Sequence, residues 1–293
     1  MKCMGETLVE CVPNFSEGRD PSRIGAIAEA IRSAGAIVLD RTSDPDHNRS
    51  VITFAAPVGV VEEAAFRAVR QAVGSLDLRA HTGVHPRIGV ADVVPFVPLT
   101  DIRLDECAHL ATAAGRRIWQ ELRVPVYLYE AAAVRPECRN LADVRRNAPA
   151  CPPDFGGPEL HPSAGAVVIG ARKFLIAFNV NLATSDVGIA RRIARTVRAS
   201  SGGLPAVKAI GLLLASRNLA QVSMNLTDFE QTGVREAFEA VRAEAARYGI
   251  AIAGSELIGL IPQKALDLAD VPALRMENFD PSMILENRLR ERR

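Results

Sequence analysis

Short β-branched apolar runs alternate along the chain with stretches in which apolar residues recur at i, i+3, i+4 and i+7, and these two periods predict strands and amphipathic helices in turn. Thr7 to Val12 reads as a strand that ends in the polar turn Pro13–Gly18. A helix follows, with Asp20 as N-cap, Pro21 at the first helical position and Gly35 just past the end; Ile24, Ile27, Ala28 and Ile31 share one face. Ala36–Asp40 is a second strand, Ser43–Asn48 a polar turn, Arg49–Ala55 a third strand, and the stretch near Val58–Val73 a helix burying Phe66, Val69 and Val73. The strand Val90–Val97 closes a β-α-β-β-α-β set.

The same order returns downstream. Lys173–Leu182 is a strand and Ser185–Ala199 a helix with Ile189, Ile193 and Val197 on one face. Val207–Ala215 and Ala220–Leu226 are strands, Val234–Tyr248 a helix, and Ile250–Ile261 the last strand. Within the second helix of each set, Ala65-Phe66-Arg67-Ala68-Val69-Arg70 matches Ala237-Phe238-Glu239-Ala240-Val241-Arg242 at every position but one. The expected fold is therefore α/β (α+β), two related ferredoxin-like subdomains over residues 1–174 and 175–293, arranged as an internal duplication. Between them lie a helix (Leu104–Leu122), a strand (Val124–Tyr129), an irregular or partly helical stretch (Ala131–Asp154), a long loop (Pro153–Gly165) and a strand (Ala166–Ala171) with no counterpart in the second set. Long loops without their own secondary structure are often functional. Asp280–Arg293 reads as a capped, solvated helix.

Charge and composition narrow the classes. A net charge of +1 gives no support to a nucleic-acid protein. No apolar run reaches the roughly 20 residues that cross a bilayer. The N-terminus lacks the basic-then-apolar form of a secretory signal. Five cysteines without a CxxC pair fit reduced thiols, so a cytoplasmic location is expected. G-x-G-x-x-G after a strand, a Walker loop, G-x-S-x-G and H-E-x-x-H are all absent.

The chemistry-bearing stretch is His81-Thr82-Gly83-Val84-His85-Pro86-Arg87-Ile88-Gly89, where Gly83 and Pro86 exclude regular helix. His85 is a candidate general acid–base group on a stiff turn, its neighbouring cation favouring neutral imidazole, or else a structural histidine of that turn. A metal set needs His81, His85 and a third ligand such as His47 or Asp46; the four-residue spacing suits ligation from a helix, which this stretch is not, so the metal reading ranks behind the acid–base one. Arg49, Arg87, Arg172 and Lys173 are surface charges or, brought to one cleft, ligands for carboxylates. Asn14, Asn179, Asn181 and Asn225 lie in or beside strands, where an amide needs a partner from a turn or a ligand.

Several strings in order resemble the formiminotransferase domain family: Leu8–Gly18, Asp46–Arg49, Gly83–Gly89, Asp92–Phe96, Val124–Tyr129, Pro153–Gly156, Gly170–Asn179, Leu219–Ser223 and Asn225-Leu226. The resemblance covers essentially the whole chain. It implies an enzyme of one-carbon and histidine metabolism that moves a formimino group from N-formimino-L-glutamate to tetrahydrofolate, the co-substrate, without a metal. It implies a groove between two subdomains and a homodimer, while charge and hydropathy lead to the expectation of no nucleic-acid and no membrane partner. It places the catalytic histidine at His85. The folate-contacting loop falls on Gly156, Gly157, Pro158, Glu159, Leu160, His161, Pro162, Ser163, Ala164 and Gly165. Asn14, Asn48, Arg49, Arg87, Arg172, Lys173 and Asn179 are the expected substrate-binding set, since both substrates carry carboxylates. Val84 stands where some members have an acidic residue before the histidine. Bifunctional members continue into a cyclodeaminase domain, so here a separate cyclodeaminase is expected to take the product. Formyl transfer between 5-formyltetrahydrofolate and glutamate, a non-catalytic folate-binding module and a metal-dependent hydrolase are the alternatives.

Overall fold

Residues 7–45, 47–83, 86–148, 151–267 and 271–292 are described by a computed structural model of the chain. It is a mixed α/β protein with two sheets, and its contacts divide into a first unit, ending at Arg172, and a second, beginning at Lys173.

The first unit contains β1 (Leu8–Cys11), β2 (Asn14–Phe15), α1 (Pro21–Arg32), β3 (Ile37–Asp44), β4 (Arg49–Pro57), α2 (Val58–Ser75) and β5 (Ala91–Thr100). It continues with α3 (Leu104–Leu122), β6 (Val126–Glu130), α4 (Leu141–Asn147) and β7 (Val167–Ala171). Helix α1 starts where its cap says it should. The Asp20 carboxylate accepts the backbone N–H of Ser22 at 2.9 Å and of Arg23 at 3.4 Å, and Ile24, Ile27, Ala28 and Ile31 are buried. Strands β1 and β2 occupy one lateral position between β4 and β5; β7 and then β6 add in parallel beyond β5, and β3 pairs the outer edge of β4.

Two departures from the sequence reading have local causes. The turn expected at Pro13–Gly18 holds β2, because the chain resumes its ladder after Pro13, which has no N–H to give, and buries Phe15. Strand β3 runs past Asp40 to Asp44, its polar end laddered against β4 as far as the Asp44–Arg49 pair.

Helices α1, α2 and α3 pack on one face of the sheet around Ile27, Phe54, Phe66, Phe96 and Ile118. A smaller cluster occupies part of the other face, where Cys138, Val144 and Ala148 of the intervening segment meet Val93, Tyr127, Tyr129 and Val168. The Tyr127 hydroxyl donates to the Ala148 carbonyl at 2.7 Å, which fixes α4 over this end of the sheet.

The second unit has β8 (Ile176–Leu182), α5 (Val187–Val197), β9 (Val207–Leu214), β10 (Leu219–Leu226), α6 (Val234–Arg247) and β11 (Ile252–Ile258), then α7 (Gln263–Asp267) and α8 (Leu285–Arg292). Its antiparallel sheet runs β11-β8-β10-β9, with α5 and α6 on one face around Phe178, Val222 and Phe238. The expected helix from Asp280 begins later, at Leu285. Asp280 caps only a short 3₁₀ turn at Pro281–Met283, and Leu285 is buried, its N–H on the Ile261 carbonyl. No helix among the described residues is long and apolar enough to cross a membrane.

Candidate functional site

Four loop segments converge at one end of the first unit's sheet. Asn48, in a left-handed turn at φ 50°, ties three of them. Its Oδ1 accepts the Gly18 N–H at 2.9 Å, its Nδ2 donates to the Thr82 carbonyl at 2.9 Å, and its own carbonyl accepts His81 Nε2–H at 2.9 Å. His81 is thereby held as a support of the turn, with Nδ1 buried. Gly83 lies so close to His47 that a Cβ there would overlap the His47 carbonyl, which explains a glycine at that position. The Arg87 guanidinium donates to the Gly83 carbonyl at 3.1 Å and the His81 carbonyl at 3.2 Å, bracing the same loop from inside. His85, with Val84, lies outside the described residues.

The far end of this loop joins the long loop that the sequence singled out. Gly89 and Gly165 form a bridge in which neither position has room for a side chain: a Cβ would overlap the Ala166 carbonyl on one side and the Ile88 carbonyl on the other. Ala166 N–H donates to the Ile88 carbonyl at 2.9 Å and Val90 N–H to the Ala164 carbonyl at 3.0 Å. His161 closes the long loop on itself, its Nδ1 accepting the Ala164 N–H at 3.0 Å while its backbone exchanges hydrogen bonds with Gly165. Residues 157–162 then wall a hollow of about 420 Å³ whose other side is Trp119 and Arg123 at the end of α3.

Asp92 is the electrostatic hub of this end. It is 1% exposed, takes the Ile88 N–H on Oδ1 at 2.9 Å, and carries two guanidiniums on Oδ2, Arg49 at 3.0 Å and Arg145 from α4. Arg49 in turn donates from Nη2 to Asn14 Oδ1 at 2.6 Å, and Asn14 Nδ2 donates to the Val12 carbonyl. Burial lowers the Arg49 pKa from its ordinary value, Asp92 opposes that, and the nearby charge of Arg145 adds to the lowering. The sequence reading named Asn14, Asn48, Arg49 and Arg87 here but missed Asp92 and Arg145. A lone carboxylate inside Val90–Val97 was a visible signal, since a buried charge needs a partner. Nothing in the irregular segment marked Arg145.

The remaining expected residues lie elsewhere. Arg172 stands beside buried Glu10 and Tyr129 in the first unit. Lys173 belongs to the second unit, its Nζ on Asp228 at 2.6 Å. Asn179 is in β8, in register with Ser223 on one side and Glu256 on the other. Its neighbour Asn181 is fully buried, donating to Glu256 at 2.9 Å and accepting from Gln221 at 2.8 Å, while Arg217 bridges Glu256 and Glu277. Among the described residues no three His, Cys, Asp or Glu side chains gather as a metal-binding group.

Fold and cluster together define the class: a two-unit α/β protein with an arginine-rich, loop-walled centre on its first unit. The formiminotransferase domain, N-terminal subdomain, matches residues 8–172, and the formiminotransferase domain matches residues 177–285. A glutamate formimidoyltransferase of Thermoplasma acidophilum is 45% identical over 97% of this chain and 97% of its own length. One of Streptococcus pyogenes is 45% identical over 96% and 98%. A formimidoyltransferase-cyclodeaminase of Rattus norvegicus is 45% identical over 88% of this chain, which spans 51% of that longer protein. The chain belongs to the formiminotransferase domain family.

Proposed function

We propose that this chain transfers the formimino group of N-formimino-L-glutamate to N5 of tetrahydrofolate, releasing L-glutamate. The observation that carries this is the 45% identity, over nearly the whole of both chains, to enzymes named for that transfer. In the reaction the folate amine attacks the formimino carbon and a new C–N bond forms. The tetrahedral adduct then expels the glutamate nitrogen, which takes up the proton lost by N5. One acid–base group suffices to carry that proton, no metal is needed, and we assign the task to His85. The hydrogen bonds that Asn48, Arg87 and Asp92 make to Thr82, Gly83 and Ile88, on either side of His85 in the sequence, support this assignment.

Residues 156–165 are read as the folate-contacting loop, supported by their shared hydrogen bonds with the end of the His81–Gly89 loop. Asn14, Arg49, Arg172, Lys173 and Asn179 are read as substrate-binding, with Asn48 and Arg87 shaping the turn on which the site stands. The enzyme is further read as a cytoplasmic homodimer; the four described cysteines are free, in keeping with a reducing compartment.

The two units are read as copies of one ferredoxin-like β-α-β-β-α-β unit. In support, the lateral order of the second sheet, β11-β8-β10-β9, repeats in the first as β5-β1-β4-β3, with β7 and β6 added beyond β5.

The test is to supply N-formimino-L-glutamate with tetrahydrofolate, and separately 5-formyltetrahydrofolate with glutamate, in the presence of a chelator. Formation of 5-formiminotetrahydrofolate in the first mixture, faster than formyl transfer in the second, is expected. Formyl transfer alone would replace the reading with that activity, and folate binding without either reaction would make the chain a binding module.

A further inference from the structure

Two guanidiniums share one carboxylate at Asp92. Arginine keeps its proton at any physiological pH, so the Asp92 carboxylate faces two positive charges. The side chains of Arg49 and Arg145 are only 17% and 15% exposed, which leaves both charges poorly hydrated. Arg145 is also under-used: its Nη2 meets Asp92, but its Nε is buried without a hydrogen-bond partner. A guanidinium held out of water with donors unspent favours a further carboxylate.

The source of Arg145 strengthens the point. It comes from α4, in the segment between the two β-α-β-β-α-β sets, and that segment is folded back over the sheet by Val144 and by the Tyr127–Ala148 hydrogen bond. Asp92 Oδ1 meanwhile holds Ile88, three residues beyond His85. One buried carboxylate thus joins both guanidiniums to the backbone of Ile88.

We propose that Arg145, paired with Arg49 across Asp92, binds a carboxylate of a reacting substrate; this rests on the transfer reading above. Both substrates carry such a group, the amino-acid donor on its glutamate and the folate on its glutamyl tail. Binding of N-formimino-L-glutamate and of tetrahydrofolate, each alone, is measured by calorimetry for the wild type, Arg145→Gln and Arg145→Lys, alongside kcat and KM.

Arg145→Gln is expected to weaken one ligand by about 10- to 100-fold, the scale of a charged hydrogen bond, and to leave the other within about threefold. The ligand that weakens identifies the carboxylate's source. Arg145→Lys, which keeps the charge but not the fork, is expected to recover part of the loss. Wild-type binding of both ligands by Arg145→Gln overturns the proposal. So does an equal loss of both in Arg145→Gln and Arg145→Lys, because that marks a general defect. A wild type that binds both ligands but transfers nothing refutes the activity, while the binding comparison still decides the role of Arg145.

Discussion

Glu10 stands in β1 between Ala55 of β4 and Val97 of β5, with 4% of its surface exposed. Burial pushes its carboxyl up to about 7, and Arg172 pulls part of the way back. A carboxyl with a raised folded-state pKa binds its proton more tightly when folded. Its effect is absent below the ordinary value of 4.5 and grows as an ionisation penalty as pH climbs to about 7. Over that window the wild type is expected to lose up to about 3 kcal/mol through this one group. Glu10→Gln removes the titration, so urea unfolding should find the variant more stable than the wild type at pH 8 and nearly equal at pH 5. A stability difference that does not change with pH would refute the assignment.

Individual residues were legible in the sequence where their partners were local. Asp20 needed only Ser22 and Arg23 to act as a cap, and both were visible beside it. Asp92 announced a need for a partner but not its identity, because Arg49 is 43 positions away and Arg145 is 53. Such pairs are set by the sheet and by the return of α4, neither of which follows from local pattern.

At the scale of elements, periodicity recovered the longer helices, each with one buried face, and the longer strands. Helix α3 runs over Leu104–Leu122 as its spacing predicts, with Cys107, Ala111, Ala114 and Ile118 buried. Strand β2 has only two residues, too few for any period to register, and exists through its pairings with β4 and β5. Helix α4 is short and its segment rich in Arg, Pro and Asn, so its course depends on tertiary contacts such as Val144 in the Tyr127 cluster.

Close approach of elements supplies a test at this scale. At Gly211 of β9, a Cβ would overlap the backbone of Ala190 and Arg191 in α5, and no flexible side chain is there to yield. Gly211→Ala is expected to destabilise the fold by about 1–3 kcal/mol, read as a lower urea midpoint at similar slope. Gly59 near the start of α2 has nothing within 4 Å of its would-be Cβ, so Gly59→Ala should instead raise stability, by up to about 1 kcal/mol. An unchanged midpoint for Gly211→Ala would mean that α5 does not rest on β9 as described.

For the whole molecule, the sequence strings pointed to the family before any geometry, and the full-length relatives bear that membership out. The structure adds a physical reason for clustering those strings. Asn14, Asn48, Arg49, Gly83, Gly89 and Asp92 come from separate stretches but meet where loops from β1, β3 and β5 are bonded together. We propose formimino transfer by this chain with His85 as its proton carrier. The direct measurement is the rate of 5-formiminotetrahydrofolate formation from N-formimino-L-glutamate and tetrahydrofolate, by the wild type and by His85→Ala, with tetrahydrofolate binding measured on both. The wild type should form the product, and the variant should bind folate but turn over about 10²–10⁴-fold more slowly. A wild type that forms no product, or a His85→Ala variant as fast as the wild type, would contradict it.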